Sequence, residues 1–293
     1  MQNISISGFS DEISDSFEEQ LKVVKELGMK YISIRGLNGK NIADYTMEEV
    51  TDYIKPKLDE YGIKVSSIGS PIGKVFIDDE EGYKKQLNQL ENIVRFCNVL
   101  DCKYIRMFSF YMPKEQAVDF YKDEVVEKIS NFAKIAEKHN VILLHENEKD
   151  IFGDTDKHCK TILDEVNSPY FKAIFDFANF VQVHVDTVEA YKLLKDHIVY
   201  IHIKDAEKGE NQNVPCGTGD GNIEVVLNDI FKNGYEGFLT LEPHLAVFES
   251  LKDLELEDVN EIIKVDRGLT GKEAYELQYN SLLSVLKNIK KVS

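Results

Sequence analysis

The sequence predicts a (β/α)8 TIM barrel, and three observations carry that expectation. Eight short runs rich in Ile, Val, Phe or Tyr each precede an amphipathic helix pattern. Several of these runs are nearly continuously apolar, as strands covered on both faces of a parallel sheet are. No G-x-G-x-x-G follows the first run, which weighs against an open doubly wound sheet with a dinucleotide crevice. A barrel of about 250 residues fits within the 293 available, so one domain over 1–293 is expected.

The first strand is read over 4–8. A helix follows over 17–27, with Phe17, Leu21, Val24 and Leu27 on one stripe and Gly28 to end it. The second strand spans 31–35. The next helix, 47–61, closes at Gly62 and contains Pro56, which has no N–H to donate and is expected to kink or split it. Strands then recur over 64–68, 104–108, 141–146, 173–177, 199–204 and 238–242. Helix patterns over 83–100, 118–139, 156–166, 188–195, 224–233 and 272–289 complete the alternation. The segments LGMKYISI, YGIKVSSI, LDCKYIRM and HNVILLHE repeat one design, in which a helix ends, a short polar turn follows and a strand begins. Long loops at 206–222 and 245–271 would lie on the face where barrels of this kind carry their sites. The second is acidic and has a short helix pattern near 251–263.

Composition narrows the function. A net charge of −17 repels a phosphate backbone, so nucleic acid is not an expected partner. No apolar run reaches the ~18 residues of a membrane helix, and MQNISISGFSDE has no basic-then-apolar export signal. The four cysteines form no C-x-x-C pair and read as reduced structural thiols. A cytoplasmic location follows as an expectation.

Four side chains stand at strand ends in the second half: Glu146 in VILLHENE, Asp176 in KAIFDFANF, His202 in VYIHIKD and Glu242 in FLTLEPH. They are 30, 26 and 40 residues apart, about one strand plus one helix each time. A barrel brings successive strand ends around one mouth, so three carboxylates and an imidazole would converge there. Oxygen donors and one nitrogen suit a divalent ion, with Mn, Mg or Co favoured and Zn compatible, and positions left for substrate oxygens.

The segments LLHENEKDIFGD, FDFANFVQV, YIHIKDA, PCGTGDGNI and LTLEPHL resemble the sugar isomerase/epimerase branch of the xylose isomerase-like barrel superfamily. The resemblance implies that Glu146, Asp176, His202 and Glu242 bind one divalent metal, and that Glu146 and Glu242 move substrate protons. It also implies a small sugar or sugar phosphate as substrate and is compatible with a homodimer. The chemistry is coherent with these residues. Loss of a proton beside a carbonyl gives an enediolate, whose oxygens a metal can hold; one carboxylate takes the proton and another group returns it. Return on the opposite face is epimerisation, and return at the neighbouring carbon is isomerisation.

Six further residues are candidates for contacting substrate. Arg35 and Arg106 could hold a carboxylate, phosphate or hydroxyls, or pair with the acids. Lys74 closes the Gly69–Lys74 loop, whose amides could cradle an anion. Asn179 stands where relatives often carry a histidine, and it cannot titrate near neutrality. Lys204 and His244 each lie two residues beyond a ligand, on its face. His145, by the same alternation, faces the helices. Asp205 is a candidate for orienting a ligand or basic group. Dehydration of a keto-polyol, as in inosose dehydratases, is the alternative reaction on this site. A non-catalytic sugar-binding barrel is a further alternative, and so is an apurinic endonuclease; seven histidines and the acidic charge argue against the latter.

Overall fold

The structure, a computed structural model, describes residues 3–209, 212–248 and 268–292. Eight strands form one parallel sheet: β1 (Ile4–Gly8), β2 (Tyr31–Ile34), β3 (Lys64–Gly69), β4 (Tyr104–Met107), β5 (Ile142–His145), β6 (Phe171–Asp176), β7 (Ile198–Ile203) and β8 (Gly237–Leu241). Their hydrogen-bonded order is β1-β8-β7-β6-β5-β4-β3-β2. A parallel bridge between Phe9 and Ser33 links β1 to β2, so the sheet closes nearly completely into the expected (β/α)8 barrel. Each strand lies within two residues of its sequence-based bounds.

The helices follow local signals. At the start of α1 (Phe17–Glu26), the Ser16 side chain accepts the Glu19 amide and Asn38 accepts that of Phe17. Phe17, Leu21 and Val24 are buried under it, and Gly28 reverses the chain at φ 73°. The 47–61 stretch is split, as Pro56 suggested. A Thr46–Glu49 capping box opens it, Val50–Ile54 forms a π-turn, and α2 (Lys55–Tyr61) ends at Gly62 with φ 68°. Pro56 has no N–H for the carbonyl one turn back, and the widened turn precedes it. The outer ring continues with α3 (Glu80–Leu100), α4 (Lys122–His139) and α5 (Asp156–Val166). A short helix not expected from the sequence, α6 (Phe177–Gln182), comes directly off β6. The ring closes with α7 (Thr187–Leu194), α8 (Ile223–Lys232) and α9 (Gly271–Val292). The helix pattern at 251–263 lies outside the described residues.

Inside the barrel, one layer is polar. The Tyr200 hydroxyl meets those of Ser66 and Ser67 at 2.9 Å and Thr240 at 2.7 Å. Ser7 joins Ser66, and Ser33 joins Ser67, each at 2.6 Å. Buried hydroxyls are tolerated because they satisfy one another. Tyr200 stands two residues before His202 on the same strand face, so this network floors the mouth.

Candidate metal centre and its surroundings

Register places the four acidic and imidazole residues together. Asp176 pairs directly with His202 across β6 and β7, and Thr240 of β8 pairs with His202, which sets Glu242 just beyond. All four are buried, and one ligand atom from each lies within 4.8 Å of the others. His202 Nδ1 donates to Glu146 Oε1 at 2.7 Å. The same nitrogen lies 3.0 Å from Glu242 Oε2 and 3.8 Å from Asp176 Oδ2.

Three acids crowded in a dry mouth disturb one another's protonation. Burial pushes Asp176 up to about 8, with Glu146 and Glu242 adding to the rise. Burial alone would lower His202, but Glu146 and Glu242 carry it up to about 9. For Glu146 burial is outweighed by His202 and Arg106, which hold it below the ordinary carboxylate range. Glu242 is pulled well down against its burial by Lys204 and His202. One oxygen each of Glu146, Asp176 and Glu242, and His202 Nε2, make no hydrogen bond although buried. Buried polar atoms normally find partners, so this donor set fits a divalent cation.

The cations of the mouth are bound to the acids. Arg35 was a candidate for gripping substrate, but its side chain is fully buried and its donors are taken. Nε reaches Asp11 at 2.8 Å, Nη2 reaches Asp11 and Glu12 at 3.2 and 3.3 Å, and Nη1 reaches Glu242 at 2.8 Å. Asp11 was missed in the sequence, since a lone acid in a turn carries no signal of its partner. Arg106 Nη1 lies 3.3 Å from Glu146 and 3.7 Å from Glu242, while its Nε has no hydrogen bond. Lys74 sits 3.7 Å from Glu148 and over the Phe108 ring.

Asn179, Asp205 and the glycine loops are engaged in hydrogen bonds within the chain. Asn179 lies in α6, which Asp176 caps by accepting the Asn179 amide at 2.8 Å. Its side-chain amide donates to the Asn147 carbonyl, and its Oδ1 accepts Lys204 Nζ at 3.0 Å. Asn179 is thus spent on holding Lys204 and the β5–β6 exits. Asn147, another residue missed, ties those exits together through both backbone groups of Asp176 at 3.0 Å. Asp205 does not reach toward a ligand. Its Oδ2 accepts the Gly217 and Gly219 amides at 2.9 and 3.0 Å, and its Oδ1 accepts those of Gly221 and Ala206 at 3.0 Å. A Cβ at Gly219 or Gly221 would stand 2.6 Å from that carboxylate. The 206–222 segment also contains an antiparallel ladder, Asp205–Glu207 with Gln212–Val214.

The Gly69–Lys74 loop is not an open anion cradle either. Its Ile72 amide donates to Ser70 Oγ, Gly73 to Gln86 Oε1 and Lys74 to the Pro71 carbonyl. Gly73, at φ 90°, has no room for a Cβ beside the Phe108 carbonyl. His145 faces outward as expected, 3.0 Å from Ser109 Oγ. His244 does face the mouth. Its Nε2 is 3.4 Å from Glu242 and 3.6 Å from Glu12, with neither ring nitrogen in a hydrogen bond. Burial lowers His244 to about 4 and raises Glu12 to about 8.

A profile of the xylose isomerase-like TIM barrel family matches residues 21–259. The chain belongs to this family. Among its relatives, 3-dehydroshikimate dehydratase of Bacillus anthracis is 23% identical over 203 residues, covering 68% of this chain and 70% of that protein. L-ribulose-5-phosphate 3-epimerase UlaE of Salmonella paratyphi A is 21% identical over 233 residues, covering 76% and 81%. The crystal structure of IOLI protein with a bound zinc atom superposes with a TM-score of 0.73 at 17% identity, over 98% of this chain and 99% of that one. In this xylose isomerase-like barrel the four donors stand at the C-terminal strand ends. A cavity of about 380 Å³ at the opposite end, beside Tyr31, Lys64, Lys103 and Phe238, contains none of them. Among the described residues no helix is long and apolar enough to cross a membrane.

Proposed function

We propose that this barrel is a divalent-metal-dependent isomerase or epimerase of a sugar or sugar phosphate. The observation that carries the reading is the convergence of Glu146 and Glu242 on one imidazole nitrogen, at 2.7 and 3.0 Å, with Asp176 beside them. Glu146, Asp176, His202 and Glu242 would hold the ion, with Mn, Mg or Co suited to the oxygen-rich set and Zn compatible. When bound, the ion polarises the substrate carbonyl and its neighbouring hydroxyl.

The remaining chemistry belongs to the chain. One of the two glutamates takes the proton from the carbon beside the carbonyl, and the other returns one. Lys204, held by Asn179, supplies a fixed positive charge against the anion that forms. Arg106 and His244 offer unpaired nitrogen atoms to substrate oxygens. The similarity to UlaE supports an epimerase. The similarity to the Bacillus dehydratase favours a second reading, in which the same proton abstraction is followed by loss of a β-hydroxyl.

Incubation with ketoses, sugar phosphates and inososes in deuterated water with Mn²⁺ tests both. Deuterium gain without loss of water supports epimerisation or isomerisation, and loss of water supports dehydration. Glu146→Gln and Glu242→Gln should each lower exchange by roughly 10²–10⁴-fold while circular dichroism stays unchanged. Undiminished exchange in both variants would remove the glutamates from the mechanism.

A further inference from the structure

We propose that the mouth is built for an uncharged polyhydroxy ketone and discriminates against its phosphate ester. This deepens, and rests on, the reading of a divalent site served by Glu146 and Glu242. It stands first on a count of formal charges. Asp11, Glu12, Glu146, Glu148, Asp176 and Glu242 are buried acids in or beside the mouth. Arg35, Lys74, Arg106 and Lys204 are the buried or nearly buried cations that face them. By formal charge, with every carboxyl ionised and His202 neutral as it would be in holding an ion, the acids exceed the cations by two, which one divalent ion neutralises. A phosphate dianion would add two uncompensated charges where water is scarce, and such charges are costly. A proton on Glu12 would offset only one of them.

The second support is steric and independent of that count. Arg35 has Phe9 on one ring contact at 4.4 Å and Phe248 on another at 5.1 Å, while carboxylates occupy its edges. Arg106 lies 4.9 Å from both Phe9 and Phe108. Neither guanidinium presents the pair of N–H groups that bidentate phosphate binding uses. The two glycine-rich loops offer no nest, because Ser70, Pro71 and Gln86 fill one and the Asp205 carboxylate fills the other. Among the described residues, the buried nitrogens of the mouth that make no hydrogen bond are Arg106 Nε, His202 Nε2 and both ring nitrogens of His244; apart from His202 Nε2, which an ion would take, they offer single sites suited to hydroxyl and carbonyl oxygens.

Calorimetry on the full chain loaded with Mn²⁺ tests the proposal, using five- and six-carbon ketoses, their terminal phosphates and inorganic phosphate. At least one free ketose should bind about tenfold or more tighter than its own phosphate, and inorganic phosphate should not compete. Equal or tighter binding of the phosphate esters, or no ketose binding at all, overturns the proposal. Glu148→Gln removes a carboxylate beside Lys74 and should narrow the gap severalfold; an unchanged gap counts against the charge balance. Deuterium exchange in the same panel separates the two levels. Exchange confined to phosphate esters leaves the proton-transfer reading standing and removes this one. Selective binding of free ketoses without exchange does the reverse.

Discussion

Replacing Asp205 with Ala removes the carboxylate that closes the 206–222 segment against the barrel. Four amides, those of Gly217, Gly219, Gly221 and Ala206, point at its two oxygens from 2.9 to 3.0 Å. A hydrogen bond to a charged acceptor is worth about 1.5–3 kcal/mol, and a buried donor left alone costs about 1–3 kcal/mol. The Gly221 and Ala206 bonds are buried, whereas those of Gly217 and Gly219 are partly open to water. Counting the buried pair in full and the other pair at about a third gives a loss of about 4–8 kcal/mol for Asp205→Ala. That is a large part of the ~5–15 kcal/mol that stabilises a typical domain. Asp205→Asn keeps one accepting oxygen, hence one pair of amides, and should lose about half as much. Urea unfolding monitored by circular dichroism measures both, with a fall in midpoint at constant slope as the expected form. A loss below about 1 kcal/mol in Asp205→Ala would show that the loop is held by something other than this carboxylate.

Three further outcomes follow from other parts of the molecule. Tyr200→Phe strips the partner shared by Ser66, Ser67 and Thr240 and should cost about 1–3 kcal/mol in the same unfolding experiment. His158 is raised above its usual 6.5 by its hydrogen bond to Asp154 at 2.9 Å and by Asp119. Its contribution is therefore complete below the unfolded value and lost as pH rises through the folded one; His158→Gln should abolish about 1 kcal/mol or less of stability in that window, read by pH-dependent unfolding. Chelation should lower the melting temperature, because an ion at 100 times its Kd adds about 2.7 kcal/mol, and Mn²⁺ should restore it. Identical melting curves with chelator and with Mn²⁺ would count against ion binding.

Much of the fold was legible because its signals are local. Apolar runs bounded by polar turns located the strands, and Gly28, Pro56 and Gly62 marked how two helices end or split. The helix Phe177–Gln182 escaped because five of its six residues are buried, which leaves no polar face to reveal a helical period. The four strand-end donors were legible for a related reason. Once strands are in register, a residue just past each strand end has only one mouth to enter.

Partnership was not legible. Arg35 meets Asp11 across 24 residues and Glu242 across 207, and no pattern in one stretch of chain encodes such a choice. The same holds for Gly73, whose amide in the expected anion cradle is taken by Gln86, and for Asp205, whose carboxylate gathers the amides of the Gly217–Gly221 loop. The sequence by itself determined the barrel, the positions of its strand ends and the donor types converging there, since periodicity and residue chemistry are properties of the chain. Only the tertiary structure decided which charges neutralise one another and which polar atoms remain unpaired. Those outcomes depend on distances between groups far apart in sequence, and in a dry mouth such distances govern electrostatic cost.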